Sequence, residues 1–128
     1  MKRNMDLIRS LMLRLEELPM DMGDAVTIQP GCKALDGIEG SDAEINHHLE
    51  LLRSVGFLDC PSGQPMFGII YMGLTWEGHD FTDAVRNADT WAKTKSVAER
   101  AGGWTVGMLL EIAKGVIKAE VGKYLPSL

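Results

Sequence analysis

The sequence predicts an α+β fold, and three stretches between Ser41 and Val85 carry that prediction. The first is SDAEINHHLELLRSVGFL, an amphipathic run opened by a serine and stopped by Gly56. The second is a pair of short β-type runs, 58–60 and 66–72, set around Pro61-Ser62-Gly63-Gln64-Pro65. The third is GLTWEGHDFTDAV, in which Thr75 is placed to cap a new helix. A chain of 128 residues is long enough to bury one core, and its 45% apolar and 24% charged content is ordinary for a globular protein.

Taken in order, the elements begin with a helix over about 5–18. Leu7, Ile8, Leu11, Leu15 and Leu18 share a stripe, Arg9, Arg14, Glu16 and Glu17 lie off it, and Pro19 ends it. The stretch from Met20 to Gly40 is rich in turn residues and holds one short strand candidate, 25–29, with no convincing second helix. Ser41 then opens a helix with a capping box. Its hydroxyl accepts from the Glu44 amide, and the Glu44 carboxylate reaches back to the Ser41 amide. Ile45, His48, Leu49, Leu52 and Val55 form the inward face, and Gly56 is a left-handed stop after which Phe57 and Leu58 fold back. In the helix after Thr75, Trp76, Phe81, Ala84 and Val85 are expected in the core. Asp89 or Thr90 is expected to cap a helix to about Ala101, with Trp91, Val97 and Ala98 inward. Gly102-Gly103 break the chain, and a last helix covers about 105–124.

Helix, glycine stop, strand, tight turn, strand, helix is the order of half a winged helix. The expected organisation is therefore a winged-helix-like domain over 1–86 and a C-terminal helical extension over 87–128, packed on that domain or on a partner chain. Charge runs against the usual partner of such a fold. From Glu16 to Asp83 there are 13 acidic residues against Lys33 and Arg53, a balance of −11, while the whole chain stands at −5. The wing loop has neither lysine nor arginine. DNA affinity rests heavily on basic side chains neutralising phosphates, so nucleic acid is disfavoured by charge.

Over MDLIRSLMLRLEEL, SDAEINHHLELLRSVGFL and LTWEGHDFTDAVRNADTWAKTK the chain resembles the bacterial family called domain of unknown function 2513, most distinctively at 74–84. More distantly, HLELLRSVGFLD followed by GLTWEGHDF resembles winged-helix regulators, in which a recognition helix ends in glycine and an LTxxG turn starts the next. The resemblance implies a short protein of phage or prophage association. It implies no activity.

Catalytic and metal motifs are missing. His47 and His48 diverge by about 100° on a helix and are poorly placed to share one metal. Inward-facing His48 reads as a packed or capping histidine, and His79 as a hydrogen bond that fixes its turn. Cys32, Cys60 and the histidines show no metal-ligand spacing, and there is no GxSxG, SxxK or phosphate-loop motif. A non-enzymatic protein without a cofactor is the expectation. Two unpaired cysteines, a charged N-terminal helix and no membrane-length apolar run point to the cytoplasm.

The expected partner is a protein, met by a face made of Asp42, Glu44, Asn46, His47 and Glu50. An acidic face of this kind suits an inhibitor that occupies the phosphate groove of a host nucleic-acid-binding complex. The second reading is a DNA-binding transcriptional regulator, with Asn46, His47, Arg53, Lys2, Arg3 and Arg9 as its contacts. In the last helix Gly107, Gly115 and Gly122 share a stripe, and the broad apolar surface favours a homodimer through Trp104, Leu109, Ile112 and Val116.

Overall fold

The structure, a computed structural model, describes residues 1–102 and 105–124, the side chains of Val106 and Leu109 excepted. These residues form an α+β protein with five helices and two small antiparallel sheets of two strands each. They divide into two compact units, Met1–Asp80 and Phe81–Leu128.

Helix α1 spans Met5–Glu16, capped by the Asn4 side chain, which accepts from the Leu7 amide at 3.1 Å. It ends two residues before the expected Leu18. The amides of Glu17 and Leu18 tighten onto the carbonyls of Arg14 and Leu15, one residue closer than the helical pattern requires. Strand β1 follows at Val26–Ile28, within the expected strand. A single 3-10 turn, Lys33–Leu35, stands where the sequence displays no second helix. The Arg14 guanidinium fastens α1 to it, donating to the carbonyls of Ala34 at 3.3 Å and Asp36 at 2.5 Å.

Helix α2, Asp42–Ser54, is capped as expected by the Ser41 hydroxyl, which accepts from the Glu44 amide at 3.1 Å. The reciprocal half of the capping box is not made; the Glu44 carboxylate lies over Gly40 instead. At the other end Gly56 has φ 85°, and its amide donates to the Arg53 carbonyl while that of Phe57 donates to Leu52. That paired closure folds Phe57 and Leu58 into the core. Val55 was expected on the inward face, yet it is 49% exposed because it is the cap residue, past the last turn that packs.

The strands pair differently from a simple hairpin around the Pro61–Pro65 turn. Strand β2, Leu58–Asp59, pairs with β4, Gly73–Leu74, in the register Leu58 to Leu74. Strand β3, Ile69–Tyr71, pairs with β1, in the register Val26 to Tyr71. Extended pairing thus starts at Ile69 and not at Met66. Gln64 closes the loop early, its amide donating to the Pro61 carbonyl at 2.6 Å and its side-chain oxygen accepting from Ile70 at 2.8 Å. Met66 and Phe67 are left outside, 103% and 46% exposed. The core of this unit joins Leu11, Met12 and Leu15 of α1, Leu49 and Leu52 of α2, and Ile69 and Tyr71 of β3, all buried. The Tyr71 hydroxyl donates to the Leu15 carbonyl at 3.0 Å. Burial first, with the negative charges of Cys60 and Glu16 adding to it, pushes its phenol up to about 12.

Helix α3, Trp76–Val85, carries Phe81, Ala84 and Val85 buried as expected. Trp76 corrects the sequence expectation: it is 81% exposed. It is the first residue of the helix, and the close packing at this end is made by Gly78, whose Cα faces the Phe57 carbonyl. Thr75 organises the turn, donating its hydroxyl proton to the Gly56 carbonyl and accepting from the Gly78 amide.

In the second unit, α4 spans Ala88–Ala101 and α5 spans Val106–Tyr124, packed against each other. Asn87 caps α4, accepting from the Thr90 amide at 3.0 Å, so the helix starts earlier than a cap at Asp89 or Thr90 would allow. Trp91, Thr94, Ala98 and Ala113 are buried, whereas Val97, expected inward, is 42% exposed. Lys93 of α4 and Glu120 of α5 form an ion pair at 2.7 Å.

Candidate partner-binding face

Helix α2 places Asp42, Asn46 and Glu50 one turn apart, on one outer stripe. Asp42 and Glu50 are exposed, while Glu44, Asn46 and His47 are half-buried. Glu50 grips Arg53 with both carboxylate oxygens: one accepts from Nε at 2.9 Å, the other from the guanidinium terminus. The pair holds the Glu50 carboxyl below its usual range through that hydrogen bond, with burial opposing it slightly. The basic residue of α2 is thereby paired on its own helix, and neither Asp42 nor Glu44, both in the first turn, has an ion-pair partner among the described residues.

Asn46 is engaged in a way that sequence reading missed. Its side-chain oxygen accepts from the Gly68 amide at 2.6 Å, clamping the long loop onto α2. Gly68 also lies so close to β1 that an added Cβ would stand 2.6 Å from the Ile28 carbonyl oxygen. Only a glycine at φ 81° fits between both neighbours. The apolar pair Met66 and Phe67 is therefore presented by a loop held at Gln64 and at Gly68. Asn46→Ala should cost about 1–3 kcal/mol, the usual loss when a partly buried amide is left without its acceptor. Faster hydrogen exchange at Gly68, together with a lower urea midpoint, is the measurement that checks it.

His48 is fully buried and works as the packed, bonding histidine the sequence suggests. Its Nε2 accepts from the Asn4 amide at 2.8 Å, which assigns the ring proton to Nδ1, 2.7 Å from the Glu44 carbonyl. It joins the start of α1 to α2. The His47 ring stands edge-on to it, with centroids 5.6 Å apart. His79 differs from its expected role: the Thr75 hydroxyl fixes the turn, and the His79 ring lies 3.9 Å from a Glu16 carboxylate oxygen.

Of the remaining sequence-predicted residues, Lys2 and Arg3 are exposed and Arg9 is half-buried, and neither Arg3 nor Arg9 is a free cation. Ile112 and Val116 are half-buried on α5, while Trp104 and the Leu109 side chain lie outside the described residues. An added Cβ at Gly107, Gly115 or Gly122 would meet no atom within 4 Å, so none of the three serves a close approach among the described residues. An open cleft of about 420 Å³ beside α1 is lined by Asn4, Asp6, Ser10, Arg14, Glu17 and Glu39. Arg14 is already spent there on backbone carbonyls. Among the described residues no group of three or more His, Cys, Asp or Glu is placed to hold a metal ion, and no helix is long and apolar enough to cross a membrane.

These elements define a small α+β protein whose second helix turns an acidic stripe outward. The chain belongs to the family described as "Hypothetical protein (DUF2513)", whose model matches residues 2–104. It is similar to an "Uncharacterized protein" of Haemophilus influenzae (strain ATCC 51907 / DSM 11121 / KW20 / Rd), 30% identical over 121 residues that cover 91% of this chain and 96% of that one. No solved structure matches the chain.

Proposed function

We propose that this protein is a non-enzymatic protein-binding module of winged-helix-like order, of phage or prophage type, acting in the cytoplasm. Its α2 face docks on a basic surface of a partner protein, of the kind that otherwise holds nucleic-acid phosphates. The observation that carries this reading is the Glu50–Arg53 pair. In a groove-reading helix Arg53 would be free to meet a phosphate. Here it is held by its own carboxylate, and Asn46 is committed to Gly68. What α2 offers is acid, on a segment whose balance is −11.

The element order supports the winged-helix-like comparison: helix, strand, short helical turn, helix, then three strands, of which β3 returns to pair with β1 while β2 takes β4. In this reading the last helix brings two copies together through Trp104, Leu109, Ile112 and Val116.

The test uses the partner protein recovered by affinity purification, then isolated and titrated. Reversing the face with Asp42→Lys, Glu44→Lys and Glu50→Lys together should weaken binding at least tenfold. The wild-type affinity should fall as salt rises, because opposite charges at an exposed interface are screened beyond about 8 Å at about 0.15 M. An unchanged affinity removes this face from the function. A gel shift against DNA from the gene's own neighbourhood addresses the regulator reading. Specific submicromolar binding at about 0.15 M salt, lost on Arg53→Ala, would replace the proposal with it.

A further inference from the structure

The inner edge of β1 is paired to β3, and its other edge has no hydrogen-bond partner among the described residues. Strand edges of this kind are usually blunted by charge, proline or a covering element. Val26, Thr27 and Ile28 carry neither charge nor proline, and Val26 and Thr27 are exposed. Beside them runs an open groove of about 250 Å³, walled by Leu18, Pro19, Met20, Val26, Ile28 and Ala34. No residue of β3 lines it, so it opens on the unpaired side. Unpaired amides and carbonyls next to an apolar trough are what an added strand requires: main-chain bonds for affinity, and a slot for alternate side chains.

Charge selects the occupant. Among the residues that flank the groove in sequence, the exposed acids Glu17, Asp21, Asp24 and Asp36 outnumber Lys33 and Arg14, whose guanidinium donates to the carbonyl of the wall residue Ala34. A second copy of this chain would bring the same acids against themselves. We infer that the outer edge of β1 and its groove take an extended, basic segment of a partner protein as an added strand, with an aliphatic side chain seated among Leu18, Met20, Val26 and Ala34. This deepens the protein-binding reading and rests on it. The strand has three residues, so its few main-chain bonds bind weakly alone, and the groove and the charge supply the rest.

The experiment uses the full chain, labelled with 15N, and a heptapeptide, acetyl-Lys-Val-Lys-Leu-Lys-Val-Lys-amide. Saturable shifts are expected at the amides of Val26, Thr27 and Ile28 and around Ala34, weakening at least tenfold from about 50 to about 300 mM salt. Two further peptides carry backbone N-methyl groups on the odd or on the even residues. One of them should bind at least tenfold more weakly, since only alternate amides of a strand face its neighbour. The glutamate counterpart should not bind. Equal binding of both methylated peptides, or no binding of the parent at millimolar concentration, overturns the inference. Shifts confined to residues 42–50 overturn it too, while leaving the acidic-face function standing. Concentration-dependent shifts of β1 without peptide would make a second copy the occupant and overturn the choice of a basic partner.

Discussion

Replacing Leu49 or Leu52 by alanine is expected to lower the unfolding free energy by about 2–5 kcal/mol, the range for leucines truncated in a close-packed core. Both side chains are essentially inaccessible to solvent, at 0% and 1%. They lie on the face of α2 that meets α1 and β3, where the fully buried Leu11, Met12 and Ile69 leave little room to collapse into the gap. Val55 supplies the contrast on the same helix. At 49% exposure, Val55→Ala should change stability by less than about 0.5 kcal/mol. Urea denaturation of the three variants checks the expectation. Losses under about 1 kcal/mol at both leucines would mean that another face of α2 makes the core.

Gly78→Ala should also destabilise, although alanine is worth about 0.5–1 kcal/mol more than glycine inside a helix. An added Cβ would stand 2.2 Å from the Phe57 carbonyl oxygen and 3.1 Å from its carbon. The obstacle is main chain, which cannot rotate aside, and Leu74 crowds the same point from 3.4 Å. Relieving the overlap moves the start of α3 off the Gly56–Phe57 closure that Thr75 bonds to. Overpacking of this sort costs about 1–3 kcal/mol and outweighs the helical gain. Gly115→Ala is the matched control: its Cβ would meet nothing within 4 Å, and it should stabilise by about 0.5–1 kcal/mol. Thermal unfolding that ranks Gly78→Ala at or above the parent protein would show that the approach to Phe57 is not close.

Sequence alone located the elements well where local chemistry decides them. The Ser41 cap, the Gly56 stop and the stripe of Ile45, His48, Leu49 and Leu52 were all legible, because each depends on residues within a turn or two. Trp76, Val55 and Val97 were misplaced for a common reason. Apolar character predicts burial, but a residue at a helix end or on the rim of the apolar stripe is at best partly covered by its neighbours. The candidate face was half legible. Its acids could be counted along the chain, and the Glu50–Arg53 spacing of three is a known helical pair. The role of Asn46 could not be read, because its partner Gly68 is 22 residues away and carries no side chain to signal it.

The amino-acid order on its own settled the α+β class, the caps and stops of the helices, the buried face of α2 and the acidity of the segment around it. These follow from spacing, side-chain chemistry and charge, none of which needs a distant partner. Tertiary structure alone decided that β3 leaves the nearer β2 to pair with β1, that β2 takes β4, and that Met66 and Phe67 stand outside the ladder. It also decided that Arg14 is spent on the turn at Lys33–Leu35, and that one edge of β1, beside a groove, has no strand partner among the described residues. Strand partners and open edges depend on which distant segments meet. Short strands of similar composition have nearly equal local preferences, so the packing of α1 and α2 around them selects the pairing.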